Sequence, residues 1–253
     1  MIATAGHGWG LALFPLLSAA IALAFALVLA GRLAGRWRTH EAIWVIALAM
    51  YAAASVAAFL GVARGWSPND FRVYWLFGAL LNVPFLLVGE VYLLSRRRTV
   101  GHLILIALLL TSVFVGWQVW SATIHHGALM RTLPLGKRVF GDNTFTYRLA
   151  QYLSYPAYFL LLGGLVWSAQ AMRGRPEMRH RTAGTLGIAI GATIVAVGSF
   201  AGAGLNIVPL FSVCLAIGIA AMFWGFVRAS HPPRQTPRTE AVHPDPSRSP
   251  APD

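Results

Sequence analysis

Read for polarity alone, the chain alternates between long apolar runs and short polar joints. Seven runs are long enough, at about 1.5 Å per residue, to cross the hydrocarbon of a bilayer: residues 9–31, 42–62, 71–95, 101–124, 147–172, 183–202 and 205–227. They predict an all-α fold, an integral membrane bundle of seven transmembrane helices within residues 1–228. Only Ala203-Gly204 separates the last two runs, which predicts a tight hairpin there. Beyond residue 228 the pattern stops. Residues 229–253 hold seven of the fourteen prolines and almost nothing apolar, so they cannot bury enough surface to offset their ordering entropy and predict a disordered, Pro-rich cytoplasmic tail.

Composition agrees with the pattern. The chain is 57% apolar and 11% charged, with mean hydropathy +0.63, and that share of charge is far below the roughly 25% of soluble domains. A net charge of +12 would suggest a nucleic-acid partner in a soluble protein; here its distribution reads as topology. The joints after the first, third and fifth spans, with the tail, carry fourteen basic residues and the opposite side carries six. Lys and Arg collect on the cytoplasmic face, so the N-terminus is predicted outside and the C-terminus inside. Tryptophan prefers the headgroup layer. Trp9, Trp66, Trp75, Trp117 and Trp120 fall at predicted outer ends, and Trp37, Trp44, Trp167 and Trp224 at inner ends. No Lys or Arg precedes the first run, so it reads as a retained span rather than a cleaved leader. Nineteen of the twenty basic residues are arginine, a usage associated with high-GC bacterial coding. The expected setting is a bacterial plasma membrane, with the lipid bilayer as partner and no nucleic acid.

Candidate chemistry begins with Glu90, the only acidic residue inside the seven runs. An acid within hydrocarbon is a functional hypothesis by default. Six residues before Arg96, it lies roughly 9 Å from the inner boundary, a depth that also allows a structural pair with Arg96 or Arg97. Asn82 stands two residues before Pro84, whose ring removes a backbone bond and frees the carbonyl of Leu80. The fifth span opens with Arg148, Gln151, Tyr152 and Tyr155 on one helical stripe and Pro156 behind them. Together with Asn82, Gln118, Ser199 and Asn206, these residues are expected to line a polar, outward-facing ligand pocket; an aromatic belt with structural hydrogen bonds is the competing reading. The connection 125–146 has turn residues (Pro134, Gly136, Gly141) and apolar ones (Leu129, Leu135, Val139, Phe140), and predicts a semi-ordered lid on the outer mouth. In the sixth span, Gly187 and Gly191, then Gly198 and Gly202, stand four apart with Gly184 below. Small residues at that spacing let helices approach closely. The expected result is a tightly packed sixth helix, with Gly184, nearer its end, less important.

Several classes are disfavoured. The seventh span has no Lys to form a retinal Schiff base, and the eight histidines lie outside the spans or at their ends, where they build no bis-His haem. Cys214 is the single cysteine, so no intrachain disulfide is expected. No HExxH, GxSxG, paired carboxylate or phosphate-cradling loop occurs. The sequence therefore points to no enzyme, metal or cofactor.

The stretch from Phe71 to Pro84 (FRVYWLFGALLNVP), with LPLG at 133–136 and VFG at 139–141, resembles a group of multi-pass, seven-span membrane proteins of high-GC Gram-positive bacteria. The resemblance covers the third span and the outer loop, and that group has no function to carry over. The functional expectation is binding or transport of a small or lipidic molecule through the outer-half polar pocket. The alternative is a non-catalytic membrane subunit or sensor whose cytoplasmic arginines dock a partner.

Overall fold

In hydrocarbon every backbone N–H and C=O must find its partner within the chain, which leaves helices as the economical way to span. The computed structural model describes residues 5–230 apart from 96, 131–132, 175–177 and 206. Among these residues all regular structure is helical. The elements are α1 (Ala5–Gly35), α2 (Thr39–Arg64), α3 (Pro68–Val73), a π-helical segment (Tyr74–Leu81), α4 (Asn82–Leu94), α5 (Arg98–Ser121), the short α6 (His126–Leu129) and α7 (Gly136–Val139), α8 (Phe145–Ala171), α9 (Arg179–Leu205) and α10 (Val208–Ala229). Seven helices are long and apolar enough to cross a membrane, with α3, the π segment and α4 forming the third. The chain folds as an all-α, multi-pass bundle of seven such helices.

Several boundaries differ from the hydropathy reading. The joint between the last two spans is not at Ala203-Gly204, because α9 continues through both to Leu205 and α10 begins at Val208. Ala and Gly are tolerated in a helix whose neighbour packs closely, so small residues there did not mark a turn. At the far end α10 runs to Ala229, and Ser230 still bonds back to the carbonyl of Phe226. The tail expected to be disordered lies, from residue 231 on, outside the described residues. Glu41, left out of the second run by its charge, belongs to the first turn of α2, where it is 5% exposed and pairs with Arg38 at 3.4 Å.

The centre of the bundle is α2, packed against α1, the π segment and α4, with α10 closing on α1. Tyr51 of α2 donates to the carbonyl of Leu215 in α10 at 3.0 Å, and Phe25 of α1 meets Phe223 and Phe226 of α10. The closest packing in the molecule joins α9 to α10. A Cβ built on Gly191 would stand 2.5 Å from the carbonyl oxygen of Gly218, and one on Gly218 would stand 2.8 Å from that of Gly191. One turn pair further along, a Cβ on Gly225 would stand 2.5 Å from the carbonyl oxygen of Gly184, and Gly184 meets Gly225 in return. Gly198 lies against Cys214, and Gly187 against Trp224 and Gly225. The glycine face of α9 is thus a packing surface, as its spacing suggested. Gly184 is as tightly set as Gly191, so its position near the helix end gives it no freedom; Gly202 lies among the side chains not described.

Two tryptophans expected in the headgroup belt are structural instead. Trp66 and Trp75 are 7% and 9% exposed, and they form an aromatic cluster with Phe71, Tyr74, Phe140 and Tyr147. The connection that carries α6 and α7 rests on this cluster. Leu133 and Val139 are fully buried, Phe140 packs on Phe71, and Gly136 leaves no room for a Cβ above the Trp75 ring. Among the described residues of this connection, aromatic rings as well as turn residues hold it against the bundle.

Candidate functional site

The chemistry-bearing residues concentrate where the third span meets the fifth, and the backbone of the third span explains why. Proline at 84 has no N–H to give to the preceding turn, and the eight residues from Tyr74 to Leu81 wind as a π-helix just before it. Such segments leave carbonyls short of donors and recur at functional sites. In this bundle a side chain of the fifth span supplies the donor: the hydroxyl of Ser154 on α8 donates to the carbonyl of Ala79 and lies 3.4 Å from that of Leu80. The vacancy that Pro84 was expected to offer to a ligand or water is filled by protein. Asn82, 6% exposed, turns the other way and donates to the carbonyl of Ala47 on α2 at 2.8 Å.

Two turns below, Glu90 points into the same interface. It is 3% exposed, and its Oε1 has no hydrogen-bond partner. The space it occupies exists because Gly164 of α8 has no side chain: a Cβ there would stand 3.3 Å from Glu90 Cγ and 3.6 Å from Oε1. On the opposite face of α4, Gly89 receives the Trp44 ring, whose Nε1 donates to the carbonyl of Leu86 at 3.2 Å. The pair with arginine considered from sequence is not formed among the described residues. The ion pairs there are Arg38 with Glu41 and Arg64 with Asp70. Arg97 is exposed and its backbone bonds Ser95, and Arg96 lies outside the described residues. His102 of α5 is engaged by the Tyr92 hydroxyl at 2.7 Å. Among the described residues Glu90 is therefore a buried carboxyl between α4 and α8 that makes no ion pair and whose Oε1 has no hydrogen-bond partner.

The remaining outer-half residues are dispersed. Arg148 is exposed and donates to Asn143 at 2.7 Å, and Gln151 donates to the hydroxyl of Tyr147 at 3.2 Å. Tyr152 and Tyr155 are 70% and 50% exposed on the outer face of α8, where they form the kind of aromatic belt that was the competing reading. Gln118 and Ser199 are half-buried on α5 and α9, and Asn206 lies outside the described residues. The two most developed depressions are open grooves at the ends of the bundle, and none of these eight residues lines either one. Asn82, which lies on the third span itself, faces α2 and is committed to backbone there.

Two participants escaped the sequence reading. Ser154 was visible only as a polar residue of the fifth span, and Gly164 as half of an unremarked Gly163-Gly164 pair. A signal existed: a serine two residues before Pro156, and a glycine pair, on the same helix. Comparison with protein-family models, with curated proteins and with solved structures returns no match for this chain. Its function is accordingly argued from its own side chains.

Proposed function

We propose that the protein binds or transports a small or lipidic molecule in a bacterial plasma membrane, without enzymatic chemistry, and that Glu90 takes up a proton or a cation during that cycle. The observation that carries the reading is the buried carboxyl of Glu90 between α4 and α8, whose Oε1 has no hydrogen-bond partner and which forms no ion pair among the described residues. An isolated carboxylate is costly in hydrocarbon, and intramembrane acids cluster along ion and proton pathways. Its surroundings support the same reading. The third span changes from α to π winding ahead of Pro84, and the fifth holds Pro156 inside a continuous helix; π segments recur at functional sites. This interface replaces the outer-half polar pocket as the centre of the proposal.

A hydrophobic carbodiimide tests it. A protonated carboxyl reached from hydrocarbon adds across the C=N bond and rearranges to a stable N-acylurea, with no leaving group. In proteoliposomes Glu90 is expected to be labelled, more slowly as pH rises from about 5 to about 8, with no labelling in Glu90→Gln. In parallel, solid-supported-membrane recordings with pooled sugars, amino acids and organic acids should give charge movement that Glu90→Gln abolishes. Labelling indifferent to pH, or charge movement retained in the variant, overturns the coupling role.

The proposed orientation keeps the N-terminus outside, on the strength of the fourteen-to-six distribution of basic residues. In a Cys214→Ala background, an impermeant thiol reagent applied to intact cells should label Met130→Cys on the lid and spare Thr99→Cys. The opposite pattern inverts the bundle.

A further inference from the structure

We propose that the groove where α8 gives way to α9 is a binding site for an anionic phospholipid, with Arg173 and Arg179 on its phosphate and Ala183 and Leu186 along the start of an acyl chain. The groove encloses about 490 Å³ and is lined by Met172, Arg173, Gly174, Arg179, Ala183 and Leu186, with Thr182 between. On its rim Gly174 takes a positive φ of 85°, a conformation open to glycine, and Arg173 and Arg179 border the one depression.

Chemistry changes along its length. At the mouth stand two guanidiniums, and neither side chain makes an ion pair or hydrogen bond among the described residues. From there Arg179 to Leu186 is seven residues of α9, roughly 10 Å of helix, over which the lining becomes apolar; Leu186 is 43% exposed and faces outward. The joint from 172 to 181 carries four arginines against one acid, Glu177, so its charge stays positive whichever partner Glu177 takes. Of the other arginines at this end, Arg32 bonds Ser230 and covers Phe226, Arg38 pairs with Glu41, and Arg228 lies over Trp224; Arg36, Arg97, Arg98 and Arg181 are not among the residues that line the groove. A phosphate between two forked guanidiniums, with its chains running down an apolar wall that opens sideways, matches a lipid and not a soluble anion.

The test is native mass spectrometry of full-length, delipidated protein titrated with phosphatidylglycerol or with phosphatidylcholine of the same chains. Phosphatidylglycerol should be held about thirtyfold more tightly, the order expected for two arginines at an anionic headgroup. The double variant Arg173→Gln/Arg179→Gln should erase the preference, and Arg228→Gln should keep it. Excess inorganic phosphate should fail to displace the lipid. If the double variant does not fold, Arg173→Gln alone, on the exposed joint, should lower the preference roughly fivefold. Equal retention of the two lipids, a preference that survives removal of the arginines, or displacement by inorganic phosphate overturns the proposal.

Discussion

The α9–α10 seam and the contact between the third and fifth spans are both close helix pairs, and they are built on opposite terms. Along the seam, glycines of one helix face glycines of the other, backbone against backbone, at Gly184 with Gly225 and Gly191 with Gly218. It uses almost no polar side chain, and two regular helices meet in it. Across the other contact the third span is interrupted by eight π-helical residues and Pro84, a serine hydroxyl stands in for missing N–H donors, and a carboxyl remains unpaired. The first arrangement has one good geometry, since any shift drives backbone into backbone. In the second, the bonds are few, local and exchangeable, and alternatives differ by a hydrogen bond or a proton. The contrast locates rigidity in the last two spans and the capacity to rearrange between the third and fifth.

The largest effect expected from breaking this contrast is on the seam. Gly191→Leu and Gly184→Leu each place a branched side chain where even a Cβ meets a carbonyl oxygen. Overpacking of that kind costs about 1–3 kcal/mol, at about 2–4 °C per kcal/mol for a chain of this size. Differential scanning fluorimetry in detergent should register a loss of roughly 5–10 °C for both. Gly116→Leu, which meets nothing within 4 Å on α5, should melt with the wild type. If Gly116→Leu is as damaging as the other two, the seam is not what separates the regions.

A smaller effect is expected at Ser154. Ser154→Ala removes the hydroxyl that serves Ala79 and Leu80 and should lower stability by about 1 kcal/mol, the worth of one interhelical hydrogen bond in a bilayer. In a Pro84→Ala background the restored N–H can serve the preceding turn, so the same substitution should cost measurably less. A double-mutant cycle reads that coupling directly. Strict additivity of the two changes would mean that Ser154 does not compensate for the proline.

Much of the architecture was legible because hydrocarbon imposes a coarse rule. Seven apolar runs became seven helices, and the charged joints became the ends. The glycine face of α9 was legible too, though incompletely. Four-residue pairs drew notice, whereas the deepest contacts recur every seven, at Gly184, Gly191 and Gly198. Their match to Gly218 and Gly225, also seven apart on the next helix, is visible once the two helices are set antiparallel. The site was less legible. A π segment has the same hydropathy as an α-helix, so nothing in YWLFGALL announces the change of register. Asn82 and Gln151 were assigned to a pocket on polarity and depth, but a polar side chain in a helix bundle is free to choose any face, and theirs point to backbone and to Tyr147. Glu90 was found because charge is rare in spans. Its solitude was not, since that depends on where the arginines of other joints fold.

The fourth span carries a consequence of its own. Helix α5 meets the bundle along a narrow line through Gly101, Leu108 and Val115 and gives most of its surface to lipid. It is pinned near one end, where the Tyr92 hydroxyl holds His102, and at the other, where Arg72 donates to the carbonyls of Val119 and Ala122 at 3.2 and 3.1 Å. Its 24 residues measure roughly 36 Å, several ångströms more than a typical hydrocarbon core. An unpinned helix would absorb the excess by tilting; here hydrogen bonds tie both ends of α5 to the third span, so a tilt of one span is shared with the other, and Arg72, one residue from Phe71, sets that tie beside the aromatic cluster on which the 125–146 connection rests.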